Sequence, residues 1–145
     1  MEIYSIGITQ KTAEQFFGIL KEAGIRRLMD VRLNNSSQLA GFSKRDDLAY
    51  FLRTILGASY VHEPLLAPSQ GMLDTYKKQK GSWDDYACVF TALMRERQIE
   101  RHLDQDSFLV PTVLLCSEAT ATNCHRRLAL EYLRQHWEGL TITHL

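Results

Sequence analysis

A dense group of reactive and charged side chains lies near the carboxyl-terminal end of the sequence, at Cys116, Glu118, Cys124, His125 and Arg126. The group joins the end of a strongly strand-like run to the first turn of a helix. A helix amino terminus has unpaired N–H groups and the positive end of the helix dipole, so it attracts anions and favours a thiolate. This pattern predicts an anion pocket in which Arg126 binds the ligand. The candidate catalytic residues are Glu118, Cys124 and His125.

The same residues allow two other interpretations. Cys116, at the end of a buried strand, is typical of a small core residue. Alternatively, the sulfur, nitrogen and oxygen donors of Cys116, Cys124, His125 and Glu118 are ligands that zinc accepts. Adjacent residues of a helix point about 100° apart, so ligation by both Cys124 and His125 requires an irregular turn.

A second pair of charges, Asp30 and Arg32, flanks Val31 late in an apolar run. The alternation of a strand directs both side chains to one face of the sheet. Opposite charges on a buried strand are costly unless paired, so they must contact each other, another ion or a ligand. We expect Asp30 to be a catalytic-site carboxylate that orients a cation and Arg32 to bind the anionic ligand. A structural ion pair is the alternative.

A third polar group contains Tyr60, His62 and Glu63, in or just after another predicted strand. Tyr60 and His62 share one face of that strand, whereas Glu63 takes the other. Tyr60 and His62 are therefore candidate ligand-binding residues, and a general acid or base could come from this group. A hydrogen-bonded structural histidine is the alternative interpretation of His62.

The elements that must position these groups alternate along the chain. Apolar, β-branched runs predict strands at 2–8, 27–33, 59–65, 112–116 and 140–145. Helical spacing of apolar residues predicts helices at 11–23, 46–56, 72–80, 82–102 and 123–137. This order predicts a single α/β domain over residues 1–145, with a mainly parallel sheet of about five strands and helices on both faces. Ligands bind beyond the carboxyl ends of the strands in such sheets, where all three polar groups fall.

Composition narrows the classes of function. The 145 residues include 17 Lys plus Arg and 17 Asp plus Glu, so the formal net charge is zero and any nucleic-acid contact must be local. No apolar run is close to the roughly 18 residues that a membrane-spanning helix needs. Residues 1–7 are predicted to form a strand and show no signal-peptide pattern. Three cysteines favour free thiols, a metal or a reactive cysteine over a disulfide scaffold. We therefore expect a cytoplasmic protein that does not enter a membrane.

The motifs resemble one known family. Cys-x-Glu followed by Cys-His-Arg at 116–126, together with Asp-Val-Arg at 30–32, is similar to the domain-of-unknown-function family 488. The similarity includes Ser-Gln-Leu-Ala-Gly-Phe-Ser-Lys at 37–44 and Tyr-Val-His-Glu-Pro-Leu-Leu-Ala-Pro at 60–68, and it spans nearly the whole chain.

The resemblance implies an α/β domain and supplies no substrate. It also implies that one site is formed by Asp30, Arg32, Glu118, Cys124, His125 and Arg126. The family pattern often has proline where this chain has Asn34, Asn35 and Ala121, so we expect an altered loop shape in those regions.

Three hypotheses for function follow. The first is a small enzyme, with hydrolase or transferase activity, that binds a phosphate-bearing or other anionic ligand such as a nucleotide or a nucleic-acid fragment. It requires neither a cofactor nor a metal. The second is a metal- or thiol-dependent module that uses Cys116, Cys124 and His125. The third is a non-catalytic protein-binding module with a structural ion network, whose loop 34–42 contacts a partner. The sequence leaves the oligomeric state open, a homodimer included.

Overall fold

The computed structural model describes residues 1–36 and 41–145 and contains one five-stranded sheet. The strands are β1 (Glu2–Gly7), β2 (Arg27–Asp30), β3 (Ser59–His62), β4 (Thr112–Cys116) and β5 (Thr141–His144). They are all parallel and lie in the order β3-β2-β4-β1-β5. The predicted α/β class with a parallel sheet of five strands is therefore confirmed.

Helices connect the strands. They are α1 (Ala13–Glu22), α2 (Arg45–Phe51), α3 (Gln70–Leu73), α4 (Trp83–Arg97), α5 (Ile99–His102) and α6 (His125–His136). Helices α2 and α3 continue into the π-helical turns Leu52–Leu56 and Asp74–Lys78. Short 3₁₀ turns cover Gly41–Ser43, Pro64–Leu66 and Gln105–Leu109.

Apolar residues cover both faces of the sheet. On one face, α1 and α2 bury Phe16, Leu20 and Leu48 against the strands. On the other, α4 and α6 bury Phe90 and Leu133 in a second cluster. Strand β4 lies between β2 and β1 and is buried along its whole length, because a central parallel strand is covered on both sides.

The strand order places a crevice between β2 and β4. These strands are neighbours, but the chain leaves β2 toward α2 on one face and leaves β4 toward α6 on the other. A point where neighbouring connections diverge opens a crevice at the carboxyl ends of the strands. The groups around Asp30 and Cys116 lie at this edge of the sheet.

Several boundaries differ from the sequence-based expectation. Strand β2 ends at Asp30, three residues early, because the chain leaves the sheet toward the crevice. The helix predicted to reach residue 102 breaks at Gln98, whose φ is 50°. Cys88, on α4, is exposed. Strand β3 is short and lies at the sheet edge, as Pro64 indicates.

Residues 37–40 lie outside the described part of the chain, and with them part of the proposed partner loop 34–42 and of the family-like motif at 37–44. Within the described residues, no helix combines the length and the apolar character that a membrane crossing needs.

Candidate functional site

A cavity of about 280 Å³ opens beyond the carboxyl ends of β2 and β4. Its lining comes from the segment after β2, from α3 and the π-helical turn that follows, from the start of α4, and from the segment that joins β4 to α6. The lining residues are Arg32, Leu33, Asn34, Pro68, Gln70, Leu73, Asp74, Tyr76, Lys77, Lys78, Trp83, Tyr86, Cys116, Ser117, Glu118, Asn123, Cys124 and His125.

Cys116 and Cys124 meet at the floor of this cavity and are joined in a disulfide. Their sulfur atoms and a ring nitrogen of His125 all lie within 4.8 Å of one another. Cys124 is the N-cap residue of α6 and has an extended backbone, with φ −135° and ψ 139°. Because Cys124 precedes the first helical residue, the 100° divergence expected of adjacent helical side chains does not apply.

His125 is held in one orientation at the first position of α6. Its Nε2 lies 2.8 Å from the carbonyl oxygen of Val31. A carbonyl oxygen only accepts, so Nε2 carries the proton and Nδ1 keeps its lone pair. Burial lowers the pKa of His125 to about 4, and the imidazole is therefore neutral near pH 7. A neutral His125 is not a cationic contact for an anion.

Arg126 lies behind the cavity floor and is 1% exposed. Its Nη1 donates hydrogen bonds to Cys116 Sγ at 2.9 Å and to the carbonyl oxygen of Glu118 at 2.8 Å, and its Nε donates to Ser5 Oγ at 3.2 Å. Burial lowers the pKa of Arg126 to about 10, so the guanidinium remains charged near pH 7. The side chain thus ties β1, the end of β4 and the following loop together.

Asp30 and Arg32 form a buried ion pair. Arg32 Nε and Nη2 donate to the two carboxylate oxygens of Asp30, each at 2.9 Å. The exposed fractions of the two side chains are 0% for Asp30 and 6% for Arg32. Arg32 Nη2 also donates to the carbonyl oxygen of Ser43 at 2.7 Å. Arg32 is therefore fixed by the protein where it lines the cavity.

Tyr60 and His62 support this pair from the neighbouring strand β3. The Tyr60 hydroxyl donates to Asp30 Oδ2 at 2.6 Å, and His62 Nε2 lies 2.9 Å from the carbonyl oxygen of Arg32. Burial, with the hydrogen bond to Asp30, raises the pKa of Tyr60. Tyr60 and His62 thus contact Asp30 and Arg32, and of these four residues Arg32 lines the cavity.

We expect replacement of Asp30 by asparagine to destabilise the protein. The amide nitrogen of the introduced side chain would face donors of Arg32 or Tyr60, and the buried Arg32 charge would lose its counter-ion. Breaking a buried pair in this way costs about 3–5 kcal/mol in the free energy of unfolding. Urea denaturation of Asp30→Asn measures the loss.

Asp46→Asn is the matched control for this substitution. Asp46 pairs with Arg45 on the surface and is 91% exposed, so its loss should leave the unfolding free energy nearly unchanged. Equal stability of Asp30→Asn and Asp46→Asn would contradict the structural role of the buried pair.

Two lysines in the cavity were missed by the sequence interpretation. Lys77 Nζ lies 2.9 Å from Glu118 Oε1, and Lys78 Nζ lies 3.3 Å from Asp74 Oδ1. Both belong to the π-helical turn after α3, which the sequence predicts only as part of a short helix. The sequence feature that could have indicated a basic site here is the pair of lysines directly after Tyr76, but adjacent lysines are also common on solvent-exposed helices.

The structure separates the predicted site residues into two layers. Within the described part of the chain, the predicted residues that line the cavity are Arg32, Glu118, Cys124 and His125. Asp30, Tyr60, His62 and Arg126 instead contact the residues or backbone that form its walls.

A family model supports the relationship indicated by the motifs. The model described as "Domain of unknown function DUF488" matches residues 12–133. The chain belongs to the DUF488 family. The DUF488 match includes both layers of the site, from Asp30 to Arg126, whereas β1 and β5 lie outside it. No curated protein and no solved structure matches the chain.

Proposed function

We propose that this DUF488 protein binds a small phosphate-bearing molecule, such as a nucleotide, in the cavity between β2 and β4. Three basic side chains and the amino terminus of the 12-residue helix α6 lie at this one cavity, and this observation carries the proposal. The cavity's place beyond the carboxyl ends of neighbouring parallel strands, where α/β proteins bind ligands, supports the proposal.

The amino terminus of α6 supplies the first anion contact. Asn123, Cys124 and His125 line the cavity at the start of this 12-residue helix. In the described part of the chain, no side chain caps the helix. We assign the contact with a phosphate oxygen to the amides of His125 and Arg126 and to the positive end of the helix dipole, because the amides of Cys124 and Arg127 donate to the carbonyl oxygens of Ala121 and Cys124.

Basic side chains supply the second contact. Arg32, Lys77 and Lys78 line the cavity together with two acids, Glu118 and Asp74. Each lysine is paired with an acid; Lys77 is 54% exposed and Lys78 is 77% exposed, and such solvent-exposed pairs exchange readily with a stronger anion. We assign the phosphate contact to Lys77 and Lys78, while Arg32 stays on Asp30.

Aromatic rings supply an apolar wall. The centroids of Tyr76 and Trp83 are 5.9 Å apart, and those of Trp83 and Tyr86 are 5.4 Å apart with nearly parallel planes. All three rings line the cavity. A base or another planar group stacks favourably on such surfaces, which favours a nucleotide over inorganic phosphate.

A hydrolase or transferase reaction would need a proton-transfer group. Glu118 is the carboxylate we assign to this role, because it lines the cavity and lies beside Lys77, the residue to which we assign the phosphate contact. Neutral His125 is the second candidate, through Nδ1. Asp30, Tyr60 and His62 act in this proposal as positioning residues for Arg32.

Calorimetric titration tests the proposal. We expect AMP to bind the wild-type chain and adenosine, which lacks the phosphate, to bind more weakly. Lys77→Ala should weaken AMP binding by about tenfold or more, because a hydrogen bond to a charged group contributes roughly 1.5–3 kcal/mol. The panel includes inorganic phosphate, a sugar phosphate and a short oligonucleotide.

Lys21→Ala is the matched control, since Lys21 is an exposed lysine in the last turn of α1 on the opposite face of the sheet. It should leave AMP affinity unchanged. Equal affinity of wild type, Lys77→Ala and Lys78→Ala for every phosphate-bearing probe would overturn the proposal.

A further inference from the structure

We propose that the reduced form of this chain binds one Zn²⁺ ion through Cys116 Sγ, Cys124 Sγ and His125 Nδ1, with the fourth coordination position open to the cavity. The inference goes beyond the anion site and does not depend on it. Three protein ligands with an open position are the arrangement of zinc sites that also bind a water or a substrate.

The three donor atoms are already close enough for one ion. The two sulfur atoms and one ring nitrogen of His125 lie within 4.8 Å of one another. Ligands of a tetrahedral zinc, at about 2.0–2.3 Å from the metal, are roughly 3.5–3.8 Å apart. The Cα atoms of Cys116 and Cys124 are 7.7 Å apart, beyond the roughly 4.4–6.8 Å that disulfides usually span. The backbone spacing therefore leaves room for an ion between two thiolates.

His125 has the outer contact that zinc-binding histidines require. Its Nε2–H donates to the carbonyl oxygen of Val31 at 2.8 Å, which leaves the Nδ1 lone pair for a metal. A hydrogen bond from the second ring nitrogen to a backbone carbonyl fixes the tautomer and orients the ring of such ligands. This contact is independent of the two cysteines.

Arg126 supplies a second independent observation. Its guanidinium is 1% exposed, and among residues 1–36 and 41–145 no carboxylate forms an ion pair with it. Buried charges require a partner of opposite sign. Nη1 instead donates to Cys116 Sγ at 2.9 Å. A thiolate at Cys116 provides the negative charge that this buried cation lacks.

The disulfide and the zinc site are two states of the same cluster. A phosphine reductant takes up the oxygen of one water molecule to become a phosphine oxide, and the disulfide accepts two electrons and two protons to become two thiols. Zn²⁺ then replaces the two thiol protons and binds two thiolates. In the reverse direction a peroxide accepts two electrons from the two thiolates and is reduced to two hydroxide ions, and the disulfide that forms removes two of the three ligands and releases Zn²⁺.

Metal titration of the full chain tests the inference. The protein is reduced with tris(2-carboxyethyl)phosphine, freed of metal with a chelator, and titrated with Zn²⁺ against a chromophoric competitor. We expect one equivalent to bind to the reduced chain and none to bind tightly to the oxidised chain. Cys124→Ser should weaken the affinity by more than about 100-fold, since even outer contacts contribute about 10–100-fold.

Cys88→Ser is the matched control, because Cys88 is an exposed free cysteine outside the cluster. It should bind Zn²⁺ like the wild type. Co²⁺ bound to the reduced wild-type chain provides a readout that needs no variant, and we expect the visible absorption of a tetrahedral ion with a thiolate charge-transfer band.

Two results would overturn the inference. The first is a reduced wild-type chain that binds no zinc or gives a Co²⁺ spectrum without thiolate bands. The second is an equal loss of affinity in Cys88→Ser and Cys124→Ser. Neither result bears on AMP binding by the oxidised chain in the presence of a chelator, so failure of the zinc site and failure of the anion site are distinguishable.

Discussion

Gly7→Ala should strongly destabilise this protein. Gly7 ends β1 beside Cys116, and a Cβ atom there would lie 1.6 Å from the carbonyl oxygen of Glu118 and 3.1 Å from the Cα of Ala119. Backbone must move to relieve this overlap. We expect a loss of about 3 kcal/mol or more in the free energy of unfolding, at the upper end for overpacking.

Gly18→Ala is the internal control for Gly7→Ala. Gly18 lies within α1, and a Cβ at this position meets no atom within 4 Å among the described residues. Alanine has the higher helix propensity, so we expect a gain of about 0.4–1 kcal/mol. Urea denaturation measures both changes. A Gly7→Ala chain as stable as the wild type would show that Glu118 does not pack against β1 as described.

Arg126→Ala should be similarly destabilising. The substitution removes a fully buried side chain together with its hydrogen bonds to Ser5, Cys116 and the Glu118 carbonyl. A large cavity and an unpaired carbonyl oxygen remain, and each lowers the free energy of unfolding. We expect a loss of about 3–5 kcal/mol, measured as the change in unfolding free energy under oxidising conditions.

Two further variants separate the causes of that loss. Arg126→Met retains much of the volume and lacks the donors, so its stability should lie between those of wild type and Arg126→Ala. Arg134→Ala removes an exposed arginine of the same helix and should be nearly neutral. A stability-neutral Arg126→Ala would contradict the structural role and return Arg126 to the group of direct ligand contacts.

Strong local patterns allowed much of the fold to be predicted. β4 was predicted at its observed limits because Thr112–Cys116 is an unbroken apolar, β-branched run before a loop. The predicted start of the helix at residue 82 agrees with α4, whose N-cap residue is Ser82 and whose cap is made by the Ser82 side chain accepting from the amide of Asp85. The order of the strands in the sheet could not be predicted, because no local sequence pattern indicates which strands are neighbours.

The site was only partly predictable, because local sequence patterns do not indicate which elements pack side by side. Its strand-end residues, such as Arg32 and Glu118, follow from alternation and the general location of ligand sites in α/β folds. Lys77 and Trp83 come from elements that reach the crevice through tertiary packing. Arg126 was predicted to bind the ligand directly, and its contacts with Cys116 and the Glu118 carbonyl could not be predicted because they too arise from tertiary packing.

The backbone of Cys124 explains why the zinc hypothesis ranked low from sequence. A helical wheel that includes Cys124 directs its side chain away from that of His125. The structure begins α6 one residue later, and the extended N-cap residue turns its sulfur toward Cys116. Helix boundaries are uncertain by one or two residues in general, and here one residue decides whether three donors converge.

We propose that the crevice between β2 and β4 binds a phosphate group at the amino terminus of α6. The most direct test is a titration of isotope-labelled protein with AMP, followed through its backbone amide resonances. We expect the largest shifts at the backbone amides of His125 and Arg126, together with that of Lys77. Saturating shifts confined to the opposite face of the sheet, or none at millimolar AMP, would contradict the claim.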